Sequence, residues 1–141
     1  MAEATWALPF LYGMVAFAEI KLSSSSEYSS PFNIQSFQHN HGKIDCTTYI
    51  LDNFAYTTDI KKFYDDSIDK LKGIKKWIVG CLRMDEHPSH ASFEQIIDYV
   101  KYIKPEKTYL THMTALLDYE TLKKDCPINV EPAYDNLLFE V

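Results

Sequence analysis

The stretch at residues 53–59 reads Asn53-Phe54-Ala55-Tyr56-Thr57-Thr58-Asp59, a run of strand-forming side chains that stops on a carboxylate. Its apolar and aromatic residues favour a buried strand, and the two threonines still favour extended backbone. Asp59 therefore falls where the strand should end and a loop should begin. A carboxylate at that point can cap the next turn, which the stretch alone favours, or it can bind a metal if histidines join it.

The composition is that of a folded domain with a net negative charge. The 141 residues are 46% hydrophobic and 14% aromatic, which is enough for one domain with its own core. The net charge of −6 argues against nucleic acid or an anionic membrane surface as a partner. The apolar run at residues 8–18 follows no basic residue and is too short to span a bilayer. We therefore expect a cytoplasmic protein with no membrane partner.

The three cysteines, Cys46, Cys81 and Cys126, indicate a reducing compartment. They form no Cys-x-x-Cys pair, so neither a zinc ribbon nor a disulfide framework is indicated. We expect them to be small buried residues. Cys81 could instead be a reactive thiol, but no basic residue adjoins it in the sequence.

Three antiparallel strands are predicted around the opening stretch. Residues 32–41 and 46–51 have strand-like patterns, and a tight turn at Asp52-Asn53 leads into a third strand over residues 54–58. The hairpin turn implies that the second and third strands pair with each other. The strand at residues 32–41 runs into His39 and His41, with a glycine directly after His41 that permits a sharp turn.

The second half of the chain alternates helices with strands. A short helix is predicted over residues 65–72, and the apolar run at residues 77–82 is typical of a strand covered on both faces. Ser92 and Gln95 form a capping box that begins the clearest helix. The apolar side chains of this helix fall on one stripe at helical spacing: Phe93, Ile96, Ile97, Val100 and Ile103.

Pro105 ends that helix, and a strand over residues 107–111, a helix over residues 118–124 and a strand over residues 137–141 are expected to follow. Strands dominate the first half, and helices alternate with strands in the second. This order predicts a layered α/β or α+β domain in which helices cover one outer face of a sheet.

The five histidines follow strand-like runs in three clusters: His39 and His41, His87 and His90, and His112. Side chains at the ends of neighbouring strands can converge on one edge of a sheet. Neutral imidazoles with a carboxylate are ligands of zinc, manganese or iron. The alternative is that each histidine is a surface or core residue bonded to the backbone.

Several stretches together resemble the C-terminal half of the metallo-β-lactamase superfamily. They are Phe-Gln-His-Asn-His-Gly at residues 37–42, the opening stretch, Leu-Thr-His-Met at 110–113, Leu-Asp-Tyr-Glu at 117–120, and residues 130–137. The similar branch is the one that contains the phosphodiesterase of the carbon–phosphorus lyase pathway. We therefore expect a single domain over residues 1–141. Its residues 32–141 would be the family-like core, and residues 1–31 would contain a strand at 14–22 and a serine-rich loop.

The resemblance implies roles for four residues of this chain. His41, Asp59 and His112 correspond to metal ligands, and Asp59 to the carboxylate that bridges two metals. His90 corresponds to a histidine that faces the substrate phosphate, so that His90 and Asp59 would be the catalytic residues. The implied cofactor is a divalent metal, zinc or manganese, and the implied substrate is a small phosphoester.

The sequence also departs from the family pattern at three places. The principal ligand stretch of the family, His-x-His-x-Asp-His, does not occur in residues 1–141. Thr48 stands where glycine is common, and Thr114-Ala115-Leu116 stand where Ser-His-Asp is common. We therefore expect the C-terminal half of an αββα sandwich, which binds metal weakly and is inactive alone. The alternative is a non-catalytic remnant or a self-associating fragment of such an enzyme.

The expected partner is a second copy of the chain or a separate chain that carries the N-terminal half. One sheet of a two-sheet sandwich presents alternate residues to the other sheet, here Ile34, Ser36, Tyr49 and Leu51. An apolar face of that size is unfavourable in water. The segment at residues 6–22 could cover part of this face, and a symmetric dimer could cover the rest.

Overall fold

The computed structural model describes residues 33–139, and its centre is a six-stranded sheet whose strands lie in chain order. The strands are β1 (Ile34–His41), β2 (Ile44–Leu51), β3 (Phe54–Thr57), β4 (Lys76–Gly80), β5 (Lys107–Thr111) and β6 (Val130–Pro132). A 3₁₀ helix, Ser67–Leu71, lies between β3 and β4, helix α1 (Phe93–Ile103) between β4 and β5, and helix α2 (Tyr119–Asp125) between β5 and β6.

The sheet is antiparallel at one side and parallel at the other. β1, β2 and β3 form an antiparallel meander, whereas β3, β4, β5 and β6 run parallel to one another. The β2–β3 turn contains Asp52 at φ 49°, as the predicted Asp52-Asn53 hairpin requires. The three predicted antiparallel strands and their shared sheet are confirmed.

The helices within residues 33–139 lie on one face of the sheet, because alternate strand residues and one side of each helix form a single apolar core. The strand residues of this core include Phe37, Ile50, Ala55, Trp77, Val79, Leu110 and Val130. The helices contribute Leu71, Ile96, Val100, Ile103 and Leu122. The predicted layered α/β arrangement with helices on one outer face is therefore confirmed.

Helix α1 forms as its capping sequence predicts. The Gln95 backbone N–H donates to Ser92 Oγ at 3.3 Å, and the Ser92 N–H donates to Gln95 Oε1 at 2.9 Å. The helix ends at Ile103, since Lys104 adopts a left-handed conformation just before Pro105. Its stripe faces the core, with Ile96 fully buried.

Two predicted elements differ in the structure. The helix expected over residues 65–72 is a shorter 3₁₀ helix, Ser67–Leu71. The last described strand is Val130–Pro132, because Val130 pairs with Thr108 of β5 and takes the sheet edge. A strand was expected over residues 137–141, but residues 137–139 are not in a strand, and residues 140 and 141 lie outside the described residues. The apolar residues after β6 pack instead on the face opposite the helices, where Phe139 stacks on Tyr109 with ring centroids 4.9 Å apart.

The face opposite the helices has a smaller apolar cluster. It contains Phe54, Ile78, Tyr109 and Ala133, with Leu51, Tyr56, Leu137 and Phe139 around them. On the same face, Ile34 of β1 and Tyr49 of β2 are about half exposed at 49% and 48%. The strand expected at 14–22 and the serine-rich loop lie outside the described residues. Within residues 33–139, no helix has the length and apolar character to cross a membrane.

Candidate metal centre

The candidate ligands lie where the parallel strands end at one edge of the sheet. Asp59 lies two residues beyond β3, and His112 directly follows β5. Both adopt left-handed backbone, at φ 55° and φ 61°, a conformation that costs a residue other than glycine about 1–3 kcal/mol. The surrounding structure therefore has to hold both residues in place.

Gly80, at the end of β4, lets these two strand ends approach each other. A Cβ atom at this position would lie 3.3 Å from the Asp59 nitrogen and 3.8 Å from His112 Cβ. The first distance is tighter than ordinary van der Waals contact. A glycine therefore fits between the two candidate ligands, where a side chain would push them apart.

His41 is held at the end of β1 with one ring nitrogen available. Its Nδ1 lies 2.8 Å from the carbonyl oxygen of Ser89. A carbonyl only accepts, so Nδ1 carries the proton and Nε2 keeps a lone pair that can bind a metal. Gly42, at φ 77°, permits this approach, because a Cβ there would lie 3.0 Å from Ser89 Cβ.

His90 contacts the Asp59 carboxylate and the ring of His41. Its Nε2 is 3.3 Å from Asp59 Oδ1, and its ring packs edge-on against His41 with centroids 4.6 Å apart. Burial lowers the pKa of His90, while the hydrogen bond to Asp59 acts against that effect. The net direction favours a neutral imidazole.

The structure brings His41, Asp59 and His90 together, with one ligand atom from each lying within 4.8 Å of the others. His112 adjoins this group through its Nε2, which is 3.9 Å from Asp59 Oδ1. The tightest cluster therefore contains His90, which the sequence analysis placed on the substrate side, and His112 lies next to it. With metal–ligand bonds of about 2.0–2.2 Å, the donors of one ion lie within about 4.4 Å of one another, so the separations in this cluster are near those that one ion needs. Imidazole with carboxylate fits zinc or manganese.

Backbone hydrogen bonds fasten the loops that carry these residues. The Ala91 N–H donates to the Ile60 carbonyl at 2.7 Å, which ties the His90 loop to the Asp59 loop. The Lys61 N–H donates to the Asn40 carbonyl at 2.8 Å, which ties the Asp59 loop to β1. The three candidate side chains therefore sit on segments fixed to one another rather than on independent loops.

Sequence reasoning missed two residues of the site. Lys61 is partly buried, and its Nζ lies 3.4 Å from the His90 carbonyl oxygen. Ser89 Oγ lies 3.0 Å from His90 Nδ1 and 3.2 Å from His87 Nδ1. The available signals were the position of Lys61 two residues after Asp59, and the position of Ser89 between residues of a histidine cluster.

His39 and Cys81 are buried core residues, which is one of the two alternatives that the sequence allowed for each of them. His39 is fully buried in the core, with its ring bonded to Thr48 and to the Thr58 carbonyl. Cys81 is fully buried, and burial raises the pKa of its thiol to about 12. The thiol is therefore inert at neutral pH.

Acidification is expected to destabilise the chain through His39 and His90. Burial lowers the pKa of both imidazoles below the unfolded value near 6.5. The unfolded chain then binds more protons, so their contribution is complete above about pH 6.5 and is lost as the pH falls through the folded pKa values. Urea unfolding at pH 7.5 and pH 5.5 should show lower stability at pH 5.5, and His39→Gln should reduce that difference. Equal stability at both pH values would contradict the expectation.

A layered α/β domain with a His–Asp cluster at its strand ends has the arrangement of a metal-binding protein. The sequence of residues 6–113 matches the family model that is described as the beta-lactamase superfamily domain. The chain belongs to the metallo-β-lactamase superfamily, a family of metal-dependent hydrolases. The predicted superfamily is therefore confirmed. The match begins at residue 6, whereas the sequence analysis expected the family-like core to begin at residue 32.

Solved structures share the fold at low sequence identity. A diphosphatase from the PhnP family is 23% identical, with a TM-score of 0.74, over 84% of this chain and 46% of that one. YhfI from Bacillus subtilis is 16% identical, with a TM-score of 0.62, over 79% of this chain and 50% of that one. The short form of human tRNase Z is 15% identical, with a TM-score of 0.60, over 80% of this chain and 45% of that one.

A curated relative is similar in sequence over part of its length. An octanoyltransferase of Porphyromonas gingivalis is 32% identical over 100 residues, which is 69% of this chain and 20% of the relative. The chain thus spans about half the length of the solved structures that it matches and a fifth of this relative.

Proposed function

We propose that this chain supplies the metal-binding edge of a phosphodiesterase-like hydrolase that acts on a small phosphoester in the cytoplasm. The observation that carries the proposal is the cluster of His41, Asp59 and His90 ligand atoms within 4.8 Å at the strand ends. The names of two similar structures, a diphosphatase and a tRNase, support phosphate chemistry. The net charge of −6 favours a small substrate over nucleic acid, and the three free cysteines suit a reducing compartment.

Zinc or manganese would be held by the free Nε2 of His41, the Asp59 carboxylate and His112. Such an ion, when bound, polarises a phosphoryl oxygen and lowers the pKa of a bound water. The Asp59 carboxylate lies between His90 and His112, at 3.3 and 3.9 Å from their Nε2 atoms. Asp59 is therefore in contact with both histidines.

His90 is placed to move a proton at the substrate. Its Nε2 faces the Asp59 carboxylate, and Ser89 Oγ at 3.0 Å from Nδ1 orients the ring. An imidazole beside the reacting group can move a proton to or from a phosphoester and exchange it with water. Lys61, whose Nζ lies 3.4 Å from the His90 carbonyl, adds a positive charge that favours an anionic substrate.

A cavity of about 370 Å³ begins at Met113, directly after His112. It is lined by Met113, Thr114, Ala115, Leu117, Tyr119, Ala133, Tyr134 and Asp135. These side chains come from the segments that follow β5 and β6, at the same edge of the sheet as Asp59. The cavity offers space for an organic group of the phosphoester next to the metal-binding residues.

Full activity is expected to need the His-x-His-x-Asp-His half, which supplies the remaining ligands. The chain alone should hydrolyse bis(p-nitrophenyl) phosphate very slowly with Mn²⁺ or Zn²⁺. Co-expression with a separate polypeptide that carries the His-x-His-x-Asp-His half should raise hydrolysis, and His90→Gln in the pair should lower kcat about 10²–10⁴-fold. A metal-loaded pair without activity would favour a non-catalytic remnant, which the Thr114-Ala115-Leu116 departure also favours.

The face that carries Ile34 and Tyr49 is expected to bind a second copy of the chain, or the separate N-terminal half where that exists. Both side chains are about half exposed and lie on the same face as the apolar cluster of Phe54, Ile78, Tyr109 and Ala133. A stable symmetric interface should bury more than about 1,000 Å². Sedimentation velocity at micromolar concentration should detect a dimer, and Tyr49→Lys should dissociate it. A monomer at every concentration would contradict self-association.

A further inference from the structure

His39 is a fully buried polar residue that the proposed reaction does not use. It lies on β1 two residues before His41, and both of its ring nitrogens have partners in the core. Nδ1 lies 3.0 Å from Thr48 Oγ1, and Nε2 lies 3.0 Å from the carbonyl oxygen of Thr58. The second contact reaches the peptide that directly precedes Asp59.

A chain of buried hydrogen bonds supports this contact. The hydroxyls of Thr48 and Thr57 lie 3.2 Å apart, and Trp77 Nε1 donates to Thr57 Oγ1 at 3.0 Å. All four side chains of the network, His39, Thr48, Thr57 and Trp77, are completely buried. A buried network of this kind rigidifies a core when each member has a partner, as is the case here.

The identity of the acceptor fixes the direction of the hydrogen bond. Because the Thr58 carbonyl oxygen can only accept, His39 Nε2 carries the proton and donates it. In the neutral ring Nδ1 is then unprotonated, and the Thr48 Oγ1 lies 3.0 Å from it. Thr48 stands where the family resemblance predicts glycine, and a glycine could not supply this hydroxyl. The contact with His39 Nδ1 therefore requires threonine, rather than glycine, at position 48.

We propose that His39 is a positioning residue that sets the conformation of Asp59 through the Thr58 carbonyl. Asp59 adopts left-handed backbone at φ 55°, a sparsely populated conformation that its neighbours must hold in place. The His39 hydrogen bond fixes the peptide on one side, and Gly80 packs against the Asp59 nitrogen on the other. The proposal rests on Asp59 being a ligand in the proposed function.

A purely structural role would give a different result from a positioning role. Loss of any buried partner in the core should lower stability, whereas only positioning should alter Asp59. His39→Leu removes both hydrogen bonds, and His39→Gln keeps an amide donor that can reach Thr58. Thr48→Val removes only the hydroxyl. Thr108→Val is the matched control, since Thr108 is equally buried and its Oγ1 has no hydrogen-bond partner among the described residues.

The first readout is the backbone of Asp59 in the metal-free 141-residue chain. The ¹³C and ¹⁵N shifts of Thr58 and Asp59 should move in His39→Leu and Thr48→Val, and the Asp59 amide should exchange faster. His39→Gln should restore the wild-type values, and Thr108→Val should not change them. If His39→Leu does not fold, Thr48→Val and His39→Gln give the same comparison. Unchanged shifts in the folded variants would overturn the proposal.

The second readout is Co²⁺ affinity, followed by its visible absorption bands. His39→Leu should weaken binding about 10–100-fold, as loss of a supporting partner of a ligand does, and His39→Gln should recover most of it. Equal affinity in wild type and His39→Leu would overturn the positioning role. Wild-type protein that binds no Co²⁺ would refute the proposed metal site, while altered Asp59 shifts would still support positioning by His39.

Discussion

Replacing Asp59 with alanine is expected to abolish measurable metal binding by this chain. The carboxylate is the centre of the candidate site, 3.3 Å from His90 Nε2 and 3.9 Å from His112 Nε2. Without it, imidazoles alone would have to hold the dication, with no negative charge among them. The loss should exceed the 10–100-fold or so that removal of a supporting partner costs. A Co²⁺ titration monitored by absorption measures this loss.

Two controls separate ligand loss from misfolding. Asp98→Ala removes a carboxylate from the exposed face of α1, where it pairs with Lys101 at 2.8 Å, and should leave Co²⁺ binding unchanged. Asp59→Asn keeps the size of the side chain but removes its charge, and should weaken binding nearly as much as alanine does. Wild-type affinity in a folded Asp59→Ala chain would mean that the metal binds elsewhere.

Replacing Ile96 with aspartate is expected to unfold the domain. Ile96 is fully buried in the core between α1 and the sheet. Loss of a buried isoleucine costs about 2–5 kcal/mol, and an unpaired buried carboxylate adds several kcal/mol. The total stability of a domain is only about 5–15 kcal/mol. Far-ultraviolet circular dichroism and urea unfolding should therefore show no cooperative transition.

The same substitution at Ile128 provides a matched control, because that side chain is fully exposed. Ile128→Asp should change stability by no more than about 0.5 kcal/mol. Ile97→Asp, which the helical stripe alone also predicts to unfold the domain, should cost less than Ile96→Asp, since Ile97 is only partly buried. A folded Ile96→Asp chain with an unchanged melting curve would refute this packing of α1.

Elements with their own start and stop signals could be predicted from the sequence. The capping box of Ser92 and the strand at Lys107–Thr111 depend on nearby residues, and the structure matches both. The last strand could not be predicted, because short apolar alternation fits either a strand or a segment that packs on a sheet face. Which one forms depends on the pairing of Val130 with Thr108, which the local pattern does not encode.

The candidate site was predictable in its members but not in its internal arrangement. His39 and His41 lie two residues apart on one strand, so periodicity places them on the same face. Their different environments come from tertiary contacts. His39 contacts Thr48 in the core, whereas His41 contacts the Ser89 carbonyl oxygen at the end of the strand. The distance of His90 from Asp59 likewise depends on the Ala91–Ile60 hydrogen bond, which joins loops far apart in sequence.

Anomalous scattering from a crystal of this chain grown with Zn²⁺ tests the metal centre most directly. We predict one strong peak at the zinc edge, about 2.0–2.2 Å from His41 Nε2 and from an Asp59 carboxylate oxygen, with a nitrogen of His112 or His90 completing the protein ligands. A zinc peak at another place, with none beside Asp59 at saturating Zn²⁺, would contradict the assignment.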